Sequence, residues 1–104
     1  MPDIDSDVRV ERTTDRYEIR VDDEVAGFTR FSAAGDGALR FVHTEIDRAF
    51  SGRGLGSTLV AQAMADVAAR GERVVPLCPF VVAYLREHEV PGLRVEWPPT
   101  DGDA

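Results

Sequence analysis

The stretch FSGRGLGSTLVAQAMADVAARG, residues 50–71, decides how the chain is read. It sets three glycines within five residues, Gly52, Gly54 and Gly56, directly before a run of helical period. Glycine is a poor helix former, so glycines clustered at a helix start need a local reason. Two are available: a tight turn, or a backbone that must come close to a ligand, most often a phosphate. From there Leu55, Leu59, Ala63 and Val67 form one i, i+4 row, with Val60, Met64 and Ala68 beside it. Ser57, Gln62, Asp66 and Arg70 lie largely elsewhere, and Gly71 marks a stop. The spacing predicts an amphipathic helix with a broad buried face over residues 54–70.

Outward to the N-terminal side the period changes to two. Val8 and Val10, then Tyr17, Ile19 and Val21, alternate with polar residues and predict half-buried strands within 7–14 and 15–23. A third strand, 25–34, is entered through Asp22-Asp23-Glu24, and AAGDGAL reads as a hairpin turn into a fourth, 38–46. On the other side of the helix, RVVPLC (73–78) is a short buried strand, and Pro79 suits the first turn of a second helix, PFVVAYLREH. The stripe of that helix is Val81, Tyr84, Leu85 and His88. Pro91 and Gly92 end it, before a short last strand within 93–97. The fold class is α+β (mixed α/β): a mostly antiparallel twisted sheet, a β-α-β crossover that makes the fourth and fifth strands parallel, and two main helices. Residues 1–98 are expected to form one domain and 99–104 a loose tail.

Composition narrows the function classes. With 104 residues there is room for one core, not for a cofactor domain plus a substrate domain. No apolar run approaches the length of a membrane helix, and MPDIDSDVRV has no apolar centre of signal-peptide type, so a cytoplasmic location is expected. The lone Cys78 fits a reducing compartment. A formal net charge of −7 argues against nucleic acid or anionic membrane as partner and suits a cationic one, such as an amine. All 12 basic residues are arginine, which excludes the lysine-dependent P-loop. The dinucleotide fingerprint would need a glycine where Ser57 or Thr58 stands. The spacing of His43, Cys78 and His88 makes no zinc site, and no metal is expected.

The window Ser51-Gly52-Arg53-Gly54-Leu55-Gly56, within IDRAFSGRGLGSTLV, is similar to the acyl-CoA-binding loop of the GNAT N-acetyltransferase superfamily, usually [QR]-x-x-G-x-[GA]. Together with FVHTEIDRAFSGRGLG, the segment VVPLCPFVVAYLREH resembles a small single-domain branch carrying a P-L-C-P-F segment; the two blocks cover about half the chain. Ser51 departs from the superfamily's Gln or Arg. The resemblance implies acetyl-CoA as co-substrate, lying where strands 41–46 and 73–78 splay apart. It implies a pyrophosphate on the amides and side chains of Gly52, Arg53, Gly54, Leu55, Gly56 and Ser57, and a pantetheine arm along Thr44, Glu45 and Ile46.

The implied reaction is transfer of an acetyl group to an amine by direct attack, the amine being a protein terminus, a lysine or a polyamine. The alternative is a CoA-binding module without efficient catalysis. Three residues are catalytic candidates. Tyr84 corresponds to the tyrosine many members use near the departing sulfur, or is an ordinary stripe residue. Cys78 is a small buried hydrophobe at a strand end, or a sulfur that meets the thioester. His43 shares strand parity with Leu39 and Phe41, which makes it a core histidine or a base paired with Glu45 if no bulge intervenes.

Overall fold

A computed structural model describes residues 7–33 and 35–98. The chain order is β1 (Val8–Arg12), β2 (Arg16–Val21), β3 (Glu24–Ala33), β4 (Ala38–Ile46), a 3-10 turn (Arg48–Phe50), α1 (Leu55–Ala69), β5 (Arg73–Pro76), α2 (Pro79–Glu87) and β6 (Arg94–Val95). All six strands form one sheet in sequence order. β1 to β4 are antiparallel neighbours, while β4–β5 and β5–β6 are parallel. This is the α+β arrangement that the change of period along the chain predicts, with α1 as the crossover. The predicted hairpin turn includes Ala34, which lies outside the described residues, as does the expected tail 99–104. No helix among the described residues is long and apolar enough to cross a membrane.

The core lies between α1 and one face of the sheet. Leu59, Val60, Ala63, Met64 and Val67 of α1 meet Tyr17 and Ile19 of β2, Phe31 of β3, Leu39 and Phe41 of β4, and Val74 of β5. Tyr17, Phe31 and Phe41 form an aromatic trio with ring centroids 5.7, 6.2 and 5.4 Å apart, within the range where ring pairs attract.

Two irregularities shape β4. Arg30 of β3 pairs with His43, but the next pair is Phe31 with Phe41, so Val42 is an extra residue and the strand bulges there. Side-chain parity slips by one at a bulge. Phe41 enters the core, whereas His43 and Glu45 turn to the outer face, 53% and 61% exposed. His43 is therefore not a core histidine, contrary to its parity in the sequence; it lies beside Phe28, ring centroids 5.9 Å apart. The second irregularity is at the partner strand. β5 pairs from Arg73 to Pro76 only, where the sequence suggests a strand to Cys78. Proline has no amide to donate, and beyond it the N–H groups of Leu77 and Cys78 both converge on the Phe41 carbonyl, at 3.0 and 2.9 Å. β4 runs on to Ile46 without β5 beside it.

A polar latch ties the first strands to the far end of α1. The Tyr17 hydroxyl donates to Asp66 at 2.7 Å, Arg12 binds Glu72 through both nitrogens at 2.8 and 3.2 Å, and Arg70 donates to Asp66 at 2.7 Å. Burial, reinforced by the bond to Asp66, holds the Tyr17 phenol well above its ordinary range. For Asp66 desolvation pulls upward, but the hydrogen bonds from Tyr17 and Arg70 and the nearby arginine charges outweigh it and leave the carboxyl below its ordinary 3.8. A depressed carboxyl stabilises the fold above its unfolded pKa and loses that contribution as pH falls through the folded value. Thermal unfolding followed by circular dichroism should therefore show Asp66→Asn melting below the wild type near pH 6, with the gap closing as the pH is lowered towards about 3. A gap that stays constant would remove Asp66 from the latch.

Candidate functional site

The loop between β4 and α1 is fixed by its own hydrogen bonds. The Asp47 carboxylate accepts from the Ala49 amide at 2.9 Å, and the Asp47 amide donates to the Ala26 carbonyl at 2.7 Å, fastening the 3-10 turn to β3. The Ser51 hydroxyl donates to the Arg48 carbonyl at 3.0 Å. At the position where the superfamily loop carries a long Gln or Arg, this chain thus uses its side chain to close the turn.

The three glycines serve different ends. Gly52 and Gly54 have φ of 82° and 74°, a region that L side chains rarely adopt, and a Cβ on either would meet nothing within 4 Å. Both turn the chain beside open space. Gly54 is the N-cap of α1 and offers no side chain to cap it. Thr58 donates to the Gly54 carbonyl at 3.2 Å as the first bond of the helix, so the amides of Leu55, Gly56 and Ser57 have no acceptor within it. Gly56 is buried and not left-handed; a Cβ there would fall 2.5 Å from Cζ of Phe80. Its side chain is missing because the Phe80 ring, at the start of α2, lies against α1 at that point.

These pieces enclose a cavity of about 250 Å³ lined by Ile46, Phe50, Ser51, Gly52, Gly54, Leu55, Gly56, Ser57 and Phe80. Arg53 is exposed beside it, with its guanidinium 5.4 Å from the Phe50 ring centroid. A smaller groove of about 160 Å³ shares Ser57 and Phe80 and continues along α2 past Ala83, Tyr84, Glu87 and His88. The two roomiest hollows, about 520 and 500 Å³, lie elsewhere. One borders the latch, whose polar groups already hold one another. The other lies under the end of α2, where Arg86 sits over Trp97.

At the splay itself Cys78 is 5% exposed and occupies the N-cap position of α2, yet it does not cap the helix. Its thiol donates across the gap to the Thr44 hydroxyl at 3.4 Å, and Thr44 contacts the hydroxyl of fully buried Thr29 at 2.9 Å. A cysteine and two threonines thus form a polar line across the opened sheet, pointing away from β5 and into β3.

Of the residues singled out in the sequence, Ile46, Gly52, Gly54, Leu55, Gly56 and Ser57 come together in one cavity, with Arg53 at its rim. Thr44 and Cys78 meet at the splay. Tyr84 borders the neighbouring groove, with its ring stacked on His88 at 4.2 Å and 15°. His43 and Glu45 pair with each other at 3.1 Å on the outer face of the sheet. Phe80 and Thr29 were missed. Phe80 was legible as an aromatic four residues before Tyr84 on one helix face; Thr29 was not, because only the bulge in β4 brings Thr44 opposite to it. Among the described residues no group of three or more His, Cys, Asp or Glu could hold a metal ion.

Two helix starts, α1 and α2, follow directly from the carboxyl ends of parallel β4 and β5, the edge at which open α/β sheets bind ligands. Unpaired amides, left-handed glycines beside open space and an exposed arginine suit a phosphate chain, and the splayed β4 leaves strand backbone for an extended amide-bearing arm. A model of the GCN5-related N-acetyl-transferase family matches residues 16–91. Among curated proteins none matches the chain.

The contact between Gly56 and Phe80 predicts a coupled pair. Gly56→Ala and Phe80→Ala should be non-additive in urea denaturation, the double variant being more stable than the sum of the single ones by at least about 1 kcal/mol. Gly54→Ala should cost about 1 kcal/mol through its left-handed backbone and show no coupling to Phe80.

Proposed function

The chain belongs to the GCN5-related N-acetyltransferases, and from that premise we propose that it transfers an acetyl group from acetyl-CoA to an amine. The observation that carries this reading is the start of α1: three amides without helical acceptors, entered through left-handed Gly54, on the rim of a cavity that reaches Ile46 at the far end of β4. Such a helix start favours negative charge without needing a lysine. The diphosphate of CoA is taken to rest there, held also by Arg53, and the pantetheine arm to run along residues 44–46. We further propose membership of the small branch with the Pro-Leu-Cys-Pro-Phe segment and an intracellular setting.

In the reaction the acceptor nitrogen attacks the thioester carbonyl carbon. The C–N bond forms, the C–S bond breaks, and the departing sulfur takes a proton while the amine loses one. Two residues are proposed for the sulfur, and their locations separate them. Cys78 lies at the splay and already acts as a donor, toward Thr44; Tyr84 borders the groove beyond Phe80. We favour Cys78. His43, with Glu45 against its ring, is the proposed base for an acceptor arriving on the outer face. Among the described residues no helix lies on that face, so the acceptor is read as something presented from outside: a protein terminus, an exposed lysine or a polyamine, each cationic and suited to a chain of net charge −7.

One observation favours a second reading, a CoA-binding module without efficient catalysis. His43, Cys78 and Tyr84 lie in three different places, with no hydrogen bond joining any two of them among the described residues.

Calorimetric titration with acetyl-CoA, with acetyl-pantetheine lacking the diphosphate as control, tests the donor site. Binding that requires the diphosphate and is abolished by Gly54→Glu is the expected result; no binding at millimolar acetyl-CoA would sink both readings. With an accepting amine in hand, Cys78→Ala should lower turnover on the order of 100-fold and Tyr84→Phe by less than about twofold. Equal small effects would leave the binding module as the better description.

A further inference from the structure

Charge on the outer face of the sheet is spread unevenly. On β2 the Glu18 side chain, 8% exposed, binds Arg16 and Arg20 on either side, and Arg20 also reaches Glu11 of β1, so acids and bases cancel there. On β3 and β4 they do not. Arg30 lies opposite His43 and Ser32 opposite Arg40, while Phe31 and Phe41 between them fill the core, so two successive rows of the outer face carry Arg30, His43, Ser32 and Arg40. Neither Arg30 nor Arg40 is in an ion pair among the described residues. Arg30 is exposed, and its guanidinium lies 5.7 Å from the Phe28 ring centroid, a contact that steers the side chain yet leaves its N–H groups open. Phe28 in turn lies opposite Glu45, whose carboxylate is 3.1 Å from His43. Along β4 the outer face therefore runs from an acid at Glu45, through the imidazole of His43, to a base at Arg40.

We propose that this strip docks an acidic peptide acceptor: a free amine followed within two or three residues by carboxylates. The inference rests on the reading of the outer face as the acceptor side and narrows the acceptor to a peptide of one charge class. The amine belongs at the acidic end of the strip, where Glu45 attracts it as an ammonium and leaves it beside the proposed base His43. Successive rows of one sheet face are about 7 Å apart, the span of two residues of an extended chain, so the next side chains of such a peptide come level with Arg30 and Arg40. Each guanidinium offers a fork of N–H groups that matches a carboxylate. A polyamine would set further ammonium groups against the same two arginines. The net charge of −7 does not reverse this, because at physiological salt charges act over about 8 Å and the local arginines prevail.

The test uses three synthetic peptides with a free amino terminus and no lysine, alike except that their second and third residues are aspartates, asparagines or arginines. Acetyl transfer from acetyl-CoA is followed with each, and circular dichroism confirms that every variant is folded. The wild type is expected to favour the aspartate peptide over the asparagine one by about tenfold in kcat/KM, within what two exposed ion pairs supply, with the arginine peptide last. That ratio should fall to about one in Arg30→Gln/Arg40→Gln, and also in the wild type at about 1 M salt, where the screening length drops to about 3 Å. Arg30→Glu/Arg40→Glu should favour the arginine peptide. Anisotropy of the aspartate peptide, labelled at its far end, reads docking without the donor, and its binding should weaken in Arg30→Gln/Arg40→Gln. A wild type that acetylates all three peptides equally, or whose preference survives in Arg30→Gln/Arg40→Gln, would overturn the docking strip and leave acetyl transfer standing. A wild type that acetylates none of them yet holds the aspartate peptide through Arg30 and Arg40 would uphold the strip and overturn the transfer. Neither transfer nor binding would overturn both.

Discussion

The Phe41 carbonyl decides where this sheet stops being a sheet. Up to that residue β4 and β5 form an ordinary parallel pair; at it, two successive amides from Leu77 and Cys78 crowd onto one oxygen. The cause is local. Pro76 ends β5 with no N–H to continue the ladder, and Val42 adds a residue to β4 at the same level. Neither change alone would open the structure, since a strand can end beside a regular partner and a bulge can be bridged. Together they leave residues 43–46 of β4 paired to β3 on one side and, among the described residues, to no strand on the other. The loop glycines, the start of α1 and the Cys78–Thr44 contact are all arranged around that gap.

Much of the fold was legible because burial imposes its own period. Tyr17, Ile19 and Val21 alternate because one sheet face meets α1, and Leu55, Leu59, Ala63 and Val67 recur at fours because that helix lies flat on it. The same reasoning failed at His43 for a physical reason. Parity is carried along a strand only while each residue has one partner, and nothing in ALRFVHTEI announces that Val42 lacks one. The loop glycines were read as a group, with a tight turn or a close approach to phosphate as the reason; the left-handed φ of Gly52 and Gly54 accounts for the turn. Gly56 looks identical in the sequence but answers to Phe80, a residue of the next helix. The latch of Arg12, Tyr17, Asp66 and Glu72 was invisible for the same kind of reason: its members are far apart in the chain, and only the packing of α1 across β1 and β2 brings them together.

Net charge and local charge point opposite ways here. A chain of net charge −7 is a poor general host for an anion such as CoA, yet screening confines that repulsion to about 8 Å at physiological salt. Within that radius the loop presents backbone amides and Arg53. Most other arginines are engaged elsewhere: Arg12 with Glu72, Arg16 and Arg20 with buried Glu18, Arg73 with Asp36 and Glu96. These arginines are tied into ion pairs of the scaffold. The proposed anion site rests on main-chain geometry, with the left-handed Gly52 and Gly54 turning the chain so that the amides at the start of α1 are left open.

The position of Cys78 draws these strands of reasoning together. As N-cap of α2 it would ordinarily turn toward the helix amides; instead its thiol crosses to Thr44. That choice follows from the splay. With the Cys78 amide committed to Phe41 and Pro79 fixing the first turn of α2, the side chain is directed over the gap, where the bulge has turned Thr44 inward to meet it. Without the Val42 bulge, parity would turn residue 44 outward and put the imidazole of His43 on the inner face instead. One inserted residue thus sets both the partner of the only sulfhydryl and the exposure of the nearest histidine. The thiol and the imidazole end up on the two sides of β4, the thiol toward the core and the imidazole toward solvent. On the proposed reading, the donor would lie on the thiol side of the strand and the acceptor would be brought to the imidazole side.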